Sequence, residues 1–269
     1  MKVSGIYVYP VKSCGGIAKE YQKLDDLGLE YDRQWMIVDK NNLFRTQRQV
    51  PKMALIKTGI IDNSLMLRAP GMTEIRIPIA RKVNEGGVEV EIWGKNCLAI
   101  DEGDKASQWL SEFLGQEYRL VRLSEQHTRL SDDKKSKMAF LDSYPILVIS
   151  EPSLEDLNKR LDKSVPMDRF RPSIVFSEGQ PYKEDELSLI QINNVVFRGT
   201  EQCVRCVIPN INQSTGKKEG HQPYKTLETY KYRVVQTDKG EVKKVLFGKY
   251  FSHENLGAIH VGDEVKILS

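Results

Sequence analysis

Short runs of β-branched and aromatic residues, each broken by a tight turn, dominate this chain and restrict it to sheets built from closely connected strands. Val3–Tyr9, Gln34–Asp39, Leu65–Arg68, Ile75–Ile79 and Val88–Ile100 have this composition, with frequent period-2 alternation. In the second half, Tyr144–Ile149 is a continuous apolar run of the buried type, and Leu187–Arg198 carries Asn193-Asn194 where a hairpin turn belongs. Tyr230–Gln236 and Glu241–Phe247 flank the turn residues Thr237–Gly240, and Ala258–Leu268 bends at Gly262-Asp263. Connections this short favour antiparallel or mixed barrels over a doubly wound parallel sheet.

Two segments break the strand pattern. Ala106, Trp109, Leu110 and Phe113 recur at helical spacing after Asp104, the expected cap, and Gly115 stands where a left-handed residue ends a helix. Leu154, Leu157 and Leu161 mark a second helix, to be capped by Ser150 or Ser153. The polar stretch Ser124–Lys137 reads as an exposed loop. The expected fold class is therefore mixed α/β and β-rich, with two β-barrel-like units and a few short helices. The first unit is placed at residues 1–118 and the second at 119–269, lengths ordinary for domains.

Hydrophobic residues at 40% and charged residues at 29% describe a soluble globular chain. Lysine and arginine number 40 against 37 acids, a net charge of +3 that excludes a general nucleic-acid binder, so any basic site must be local. The first nine residues alternate polar and apolar and lack the pattern of an export signal. No apolar stretch approaches the roughly 20 residues that cross a bilayer, so a cytoplasmic protein with no membrane anchor is expected. In that compartment Cys14, Cys97, Cys203 and Cys206 remain thiols unless a metal or catalysis uses them.

Cys203-Val204-Arg205-Cys206 is the strongest local signal. A soft thiolate suits zinc, copper(I), iron–sulfur clusters and heavier soft metals, and Arg205 beside the sulfurs favours the ionised form. A lone CxxC also fits half a zinc site, a redox dithiol or two inert buried thiols. The other half of a zinc site is missing, since Cys14 and Cys97 stand alone and His127, His221, His253 and His260 show no paired spacing. Pro209, Asn210 and Asn212 imply a loop after the pair, where a thioredoxin-like site wants a helix.

Tyr9 to Gly16 runs from a strand into a loop that offers the Lys12 ammonium, the Ser13 hydroxyl and glycine amides together, a combination able to seat a phosphate without being a Walker loop. Arg33, Arg45, Arg48, Arg169 and Arg171 lie in or beside expected strands, where a solvated face is the bland reading of each. Arg171 fits that reading least, because it sits between Phe170 and the apolar run Ile174-Val175-Phe176, where its head group calls for an anion. Asp142-Ser143-Tyr144-Pro145 supplies polar contacts or a turn. No serine–histidine–acid triad or paired-carboxylate arrangement can be assembled from spacing. A flavin or nicotinamide fingerprint and an iron–sulfur cysteine set are also missing, so any redox chemistry needs an outside electron source.

Taken together, YPVKSCGG at 9–16, GLEYDRQWMIVD at 28–39, FRTQRQVPKM at 44–53, FRPSIVF at 170–176, CVRC at 203–206, LFGKYF at 246–251 and VGDEVKIL at 261–268 resemble the MOSC family, preceded by its usual N-terminal β-barrel domain. Within that family the likeness is to the amidoxime-reducing components and the bacterial reductases of N-hydroxylated compounds. The resemblance implies an oxidoreductase that holds the molybdenum cofactor, a molybdenum–molybdopterin. It also implies small N-hydroxylated substrates and a separate electron donor of flavodoxin-reductase, ferredoxin or cytochrome type.

Carried over by position, Cys206 is the metal ligand and catalytic residue, and Cys203 is its supporting thiol. Lys12, Ser13, Arg33, Ser143 and Arg171 match positions that hold the cofactor's phosphate and pterin, with Arg48 as a neighbour. Ser173 stands where close relatives carry asparagine and would reach the pterin through water, while Tyr144 replaces a small hydroxyl residue and narrows the pocket. A dianionic phosphate suits such a set, each charge-assisted hydrogen bond contributing about 1.5–3 kcal/mol. The competing implication is a sulfur-transfer or cofactor-carrier role, with a cysteine persulfide or a loosely held pterin.

Overall fold

The computed structural model describes residues 1–80, 87–238 and 240–269. It is strand-rich, with three α-helices among the described residues: α1 (Asp104–Leu114), α2 (Glu151–Lys159) and α3 (Tyr224–Tyr230). The largest sheet runs in the order Ile17–Lys19, Lys2–Val8, Ile174–Ser177, Ile146–Ser150, Gly240–His253, Val195–Val204, Leu189–Ile192 and Val265–Ile267, with Tyr232–Thr237 also paired to Gly240–His253. Ile146–Ser150 and Ile174–Ser177 are its parallel pair, and α2 lies in the connection between them.

The apolar run found around Ile146 follows from burial on both faces. Ile146 and Val148 pack with Val3, Ile6, Phe176, Phe197 and Phe251. Leu147 and Ile149 pack on the other side with Leu157, Phe170, Leu227, Phe247 and the Cys203 thiol. A strand covered twice has no solvent side to alternate with. Gly248 lets its strand pass this close, because a Cβ there would sit 2.6 Å from Ile149 Cγ1 and 2.7 Å from the Val148 carbonyl.

A four-stranded sheet of Trp35–Asp39, Tyr118–Leu123, Lys95–Asp101 and Val88–Ile92 forms the second framework. The apolar stripe of α1, Ala106, Trp109, Leu110 and Phe113, packs against Val11, Trp35, Met53, Leu65 and Ile77. The first strand, Lys2–Val8, belongs to the large sheet, whereas Tyr118–Leu123 pairs with strands of the first half. Gln47 and Gln213 exchange reciprocal amide hydrogen bonds at 2.9 Å and join segments far apart in the chain.

Asn193-Asn194 forms the expected hairpin turn, with Asn193 left-handed at φ 51. Gly115 ends α1 in the left-handed region, and Ser150 caps α2 by accepting from the Ser153 amide. Other expectations shift. Gly103 takes the cap position of α1, and Asp104 becomes the first helical residue, because Asp101 Oδ1 already holds the Gly103 amide at 2.7 Å. Leu161 falls beyond the end of α2.

Val88–Ile100 splits into two strands around Trp93-Gly94, both left-handed at φ 55 and 72. Ala258–Leu268 sends Ala258–His260 and Val265–Ile267 to different sheets. Ser124–Lys137 is not a plain exposed loop, because its Arg129 is buried with its guanidinium on the Ala139 and Leu141 carbonyls. Lys239, inside the expected turn Thr237–Gly240, lies outside the described residues. No helix among those residues is long and apolar enough to cross a membrane.

Candidate functional site

The site begins where the first strand ends. The Lys12 amide donates to the Trp35 carbonyl at 2.8 Å, the Trp35 amide to Pro10 at 3.0 Å and the Arg33 amide to Tyr9 at 2.9 Å, so the 9–14 loop is stitched to the 32–35 segment. Ser13, Arg33 and Arg171 are all left-handed, with φ 65, 50 and 56. Side-chain-bearing residues rarely adopt that conformation, and it persists where surrounding bonds impose it. Here those bonds turn three polar side chains toward one pocket.

That inner pocket is lined by Lys12, Ser13, Arg33, Arg48, Arg171, Ser173, Cys203 and Cys206, together with Arg205 and Tyr250. Ser143 is not among its walls. It lines an outer cleft instead, which shares Arg48, Asp142, Val204, Cys206 and Tyr250 with the inner pocket. Arg45 is engaged with Asp39, and Arg169 is held by Glu219 at 2.5 Å and the Pro209 carbonyl at 3.2 Å, so neither joins the site.

Buried Tyr9 backs two of the cationic walls. Arg33 and Arg171 stand over its ring with guanidinium carbons 4.2 and 4.3 Å from the centroid. Buried Asp32 ties the arrangement together by pairing with Arg33 and accepting the Tyr9 amide at 2.7 Å. Arg33 also donates to the Arg171 carbonyl at 3.1 Å and approaches Ser173 Oγ at 3.4 Å, while that hydroxyl accepts the Leu147 amide at 3.3 Å. Ser173 thus helps to position Arg33 and keeps its own hydroxyl proton available at the pocket wall. Lys12 donates to the Phe140 carbonyl at 2.7 Å and pairs with Asp142, and its burial pulls the ammonium below the ordinary lysine range.

The two CxxC cysteines have separate fates. Cys203 is buried in the core, where Arg205 Nη1 donates to its sulfur at 3.1 Å and Arg205 Nη2 to the Phe170 carbonyl at 2.8 Å. The Tyr250 phenol, held well above its usual range by burial, also meets the Cys203 thiol. Cys206 is only half-buried and opens on both cavities. Among the described residues no three His, Cys, Asp or Glu side chains gather as metal ligands.

Arg171 Nη1 donates to the Cys14 carbonyl at 2.6 Å, but its Nη2, like Arg205 Nε, is buried with no hydrogen-bond partner among the described residues. Burial lowers the Arg171 pKa to about 10. A guanidinium deprived of water and left with an open N–H fits an anionic ligand. A lone accessible thiol beside this cationic ring fits a metal whose cofactor brings its own further ligands.

The sequence motifs located most of these residues but missed Tyr9 as the support under Arg33 and Arg171, Asp32 as a tether and Tyr250 as a wall. Each of these roles depends on a neighbour distant in sequence. The one local hint was Asp32-Arg33, an acid–base dipeptide directly before a buried strand.

This chain belongs to the MOSC family: residues 1–117 match the MOSC N-terminal beta barrel domain and residues 135–266 the MOSC domain. Its relatives include mitochondrial amidoxime-reducing component 1 of Mus musculus, 33% identical over 99% of this chain and 82% of that protein. Component 1 of Homo sapiens is 34% identical over 99% of this chain and 82% of that protein, and component 2 of Rattus norvegicus is 34% identical over 98% and 82%.

Proposed function

We propose that this chain is a molybdenum-cofactor-dependent oxidoreductase that reduces N-hydroxylated compounds such as amidoximes and hydroxylamino bases. The overall conversion is N–OH plus two electrons and two protons to N–H plus water. The observation that carries the reading is the position of Cys206, the one CxxC sulfur open to both a cationic inner pocket and a roomy outer cleft. Relatives of nearly full length that are named for amidoxime reduction support it.

In this reading Cys206 is the protein's ligand to molybdenum. Lys12, Ser13, Arg33 and Arg171 hold the pterin and its phosphate, Arg48 borders them, and Ser143 faces the substrate side. The bound cofactor supplies the two-electron chemistry at the metal. The protein fixes the thiolate, screens the cofactor's charge and keeps Cys203 braced between Arg205 and Tyr250, and such supporting contacts tune a metal site. Electrons come from a separate donor protein, in line with the absence of flavin, nicotinamide and iron–sulfur motifs from the sequence.

The test is metal and pterin analysis of protein from a cofactor-sufficient host, followed by assay with benzamidoxime and reduced methyl viologen. About one molybdenum and one pterin per chain with benzamidine formation is the expected result. A chain with bound pterin that yields no benzamidine with any donor, but carries a cysteine persulfide, belongs to the sulfur-transfer alternative. Stoichiometric zinc without pterin would overturn both.

A further inference from the structure

We propose that the outer cleft is the substrate subsite and that Trp93 is its specificity-determining wall, favouring flat, conjugated N-hydroxylated molecules over small saturated hydroxylamines; this rests on the reductase reading above. The cleft has a volume of about 760 Å³, within the roughly 300–1,000 Å³ typical of small-molecule sites. It opens onto Cys206, so a ligand lying in it places one end against the sulfur assigned to the metal.

Trp93 sits at the tip of the hairpin joining Val88–Ile92 to Lys95–Asp101 and lines this cleft. It is left-handed at φ 55, at a turn position that normally takes asparagine, aspartate or glycine. Four neighbours meet the indole there. Its Nε1 donates to Asp142 Oδ1 at 3.2 Å, the Arg48 guanidinium carbon stands 4.5 Å and the Lys12 ammonium 5.9 Å from the ring centroid, and the Phe44 ring packs at 4.7 Å with a 57° tilt.

The indole nevertheless remains 42% exposed. A lone exposed aromatic residue needs no explanation. One that is strained, met by four neighbours and turned into a cleft ending on Cys206 points to a ligand, since backbone strain of this kind collects at binding sites. Three of these neighbours, Lys12, Arg48 and Asp142, also line the inner pocket, so the wall is fixed to the same frame as the proposed cofactor site. A flat amidoxime or hydroxylamino base offers a face for stacking and an edge for polar contact. A small aliphatic hydroxylamine has no such face.

The experiment compares wild type, W93L and W93F as cofactor-loaded full chains, with benzamidoxime and N-methylhydroxylamine as substrates and reduced methyl viologen as donor. W93L should lower the ratio of kcat/KM for benzamidoxime over N-methylhydroxylamine about tenfold, chiefly through a higher KM for benzamidoxime, and W93F should restore most of it. A ratio within twofold of wild type in W93L overturns the proposal.

Binding gives a second readout. Benzamidoxime should quench part of the indole fluorescence of wild type, and W93F, with Trp35 and Trp109 intact, should lose that part. Quenching that is identical in the two proteins, or absent from both, also overturns it. If wild type reduces neither substrate, the reductase reading falls and the quenching comparison alone decides the subsite.

Discussion

Arg171 stands over the ring of Tyr9, its guanidinium carbon 4.3 Å from the ring centroid, and carries a buried Nη2 that finds no acceptor among the described residues. The aromatic face offsets part of the cost of stripping water from the charge, but an N–H without an acceptor remains a penalty. The cofactor-free fold therefore tolerates Arg171 without depending on it. R171M should leave the melting point of cofactor-free protein close to wild type, because removing the unpaired buried N–H offsets the roughly 1–3 kcal/mol cost of leaving the Cys14 carbonyl without its donor. Pterin retention after gel filtration should fall tenfold or more, from loss of a charge-assisted bond of about 1.5–3 kcal/mol. Full pterin occupancy in R171M would remove this residue from the phosphate site.

Cys206 and Cys203 should separate cleanly on substitution. C206A should abolish molybdenum retention and turnover while the fold persists, because its half-buried side chain contributes little to the core. C203A should keep metal but melt lower by about 1–2 kcal/mol, since its sulfur is 2% exposed in the core and receives Arg205. Metal analysis and calorimetry read the two effects, and the reverse ranking would show the ligand to be Cys203.

Asp142 favours the charged form of Lys12 against its burial. D142N should leave the buried ammonium with the Phe140 carbonyl alone and destabilise the protein by about 1–2 kcal/mol at neutral pH. The estimate stays below that for a fully buried pair because the Asp142 side chain is 54% exposed. Burial already depresses the Lys12 pKa, so the native state favours neutral Lys12 more than the unfolded chain does. The D142N deficit should then shrink as pH rises toward the ordinary lysine value of about 10.4, where the ammonium can discharge. Urea titrations at pH 7 and 9.5 check this, and a deficit that grows with pH refutes it.

Cys14 titrates in the opposite sense. Burial raises its thiol to about 12, so the native state keeps the proton after the unfolded chain has lost it at about 8.5. Its contribution to stability is complete below that value and is lost as pH rises toward 12. C14A should therefore show a shallower loss of stability between pH 9 and 11 than wild type. Iodoacetamide at pH 8 should alkylate Cys206 in cofactor-free native protein and reach Cys14 only after denaturation. Rapid labelling of Cys14 in the native state would contradict its burial.

Much of this architecture was legible because its signals are local. Gly115, Ser150 and Asn193-Asn194 act on backbone within a few residues; the sequence places the first and last correctly and narrows the α2 cap to Ser150 or Ser153. Asp104 misleads because the feature that displaces it, the Asp101 carboxylate on the Gly103 amide, competes for the same helix end. The cationic residues of the site are found by motif, but Ser143 shares the outer cleft with Trp93, and motif position alone does not distinguish the two cavities. Left-handed geometry at Ser13, Arg33 and Arg171 leaves no mark in composition, since no glycine announces it. Tyr9 reads as the end of an apolar strand, and only the fold puts two guanidinium groups on its ring.

The strand Lys2–Val8 pairs with Ile174–Ser177, and the inner pocket takes walls from residues as far apart in the chain as Lys12 and Tyr250. During synthesis the first strand leaves the ribosome long before its neighbour exists and must wait, an exposed edge without a partner. Pairings this distant in sequence form slowly, so closure of the large sheet is a late step that cannot precede emergence of residue 250. The pocket has no partial form on a nascent chain. A ligand that needs all of these walls can be enclosed only after residue 250 has emerged, whatever has folded before it.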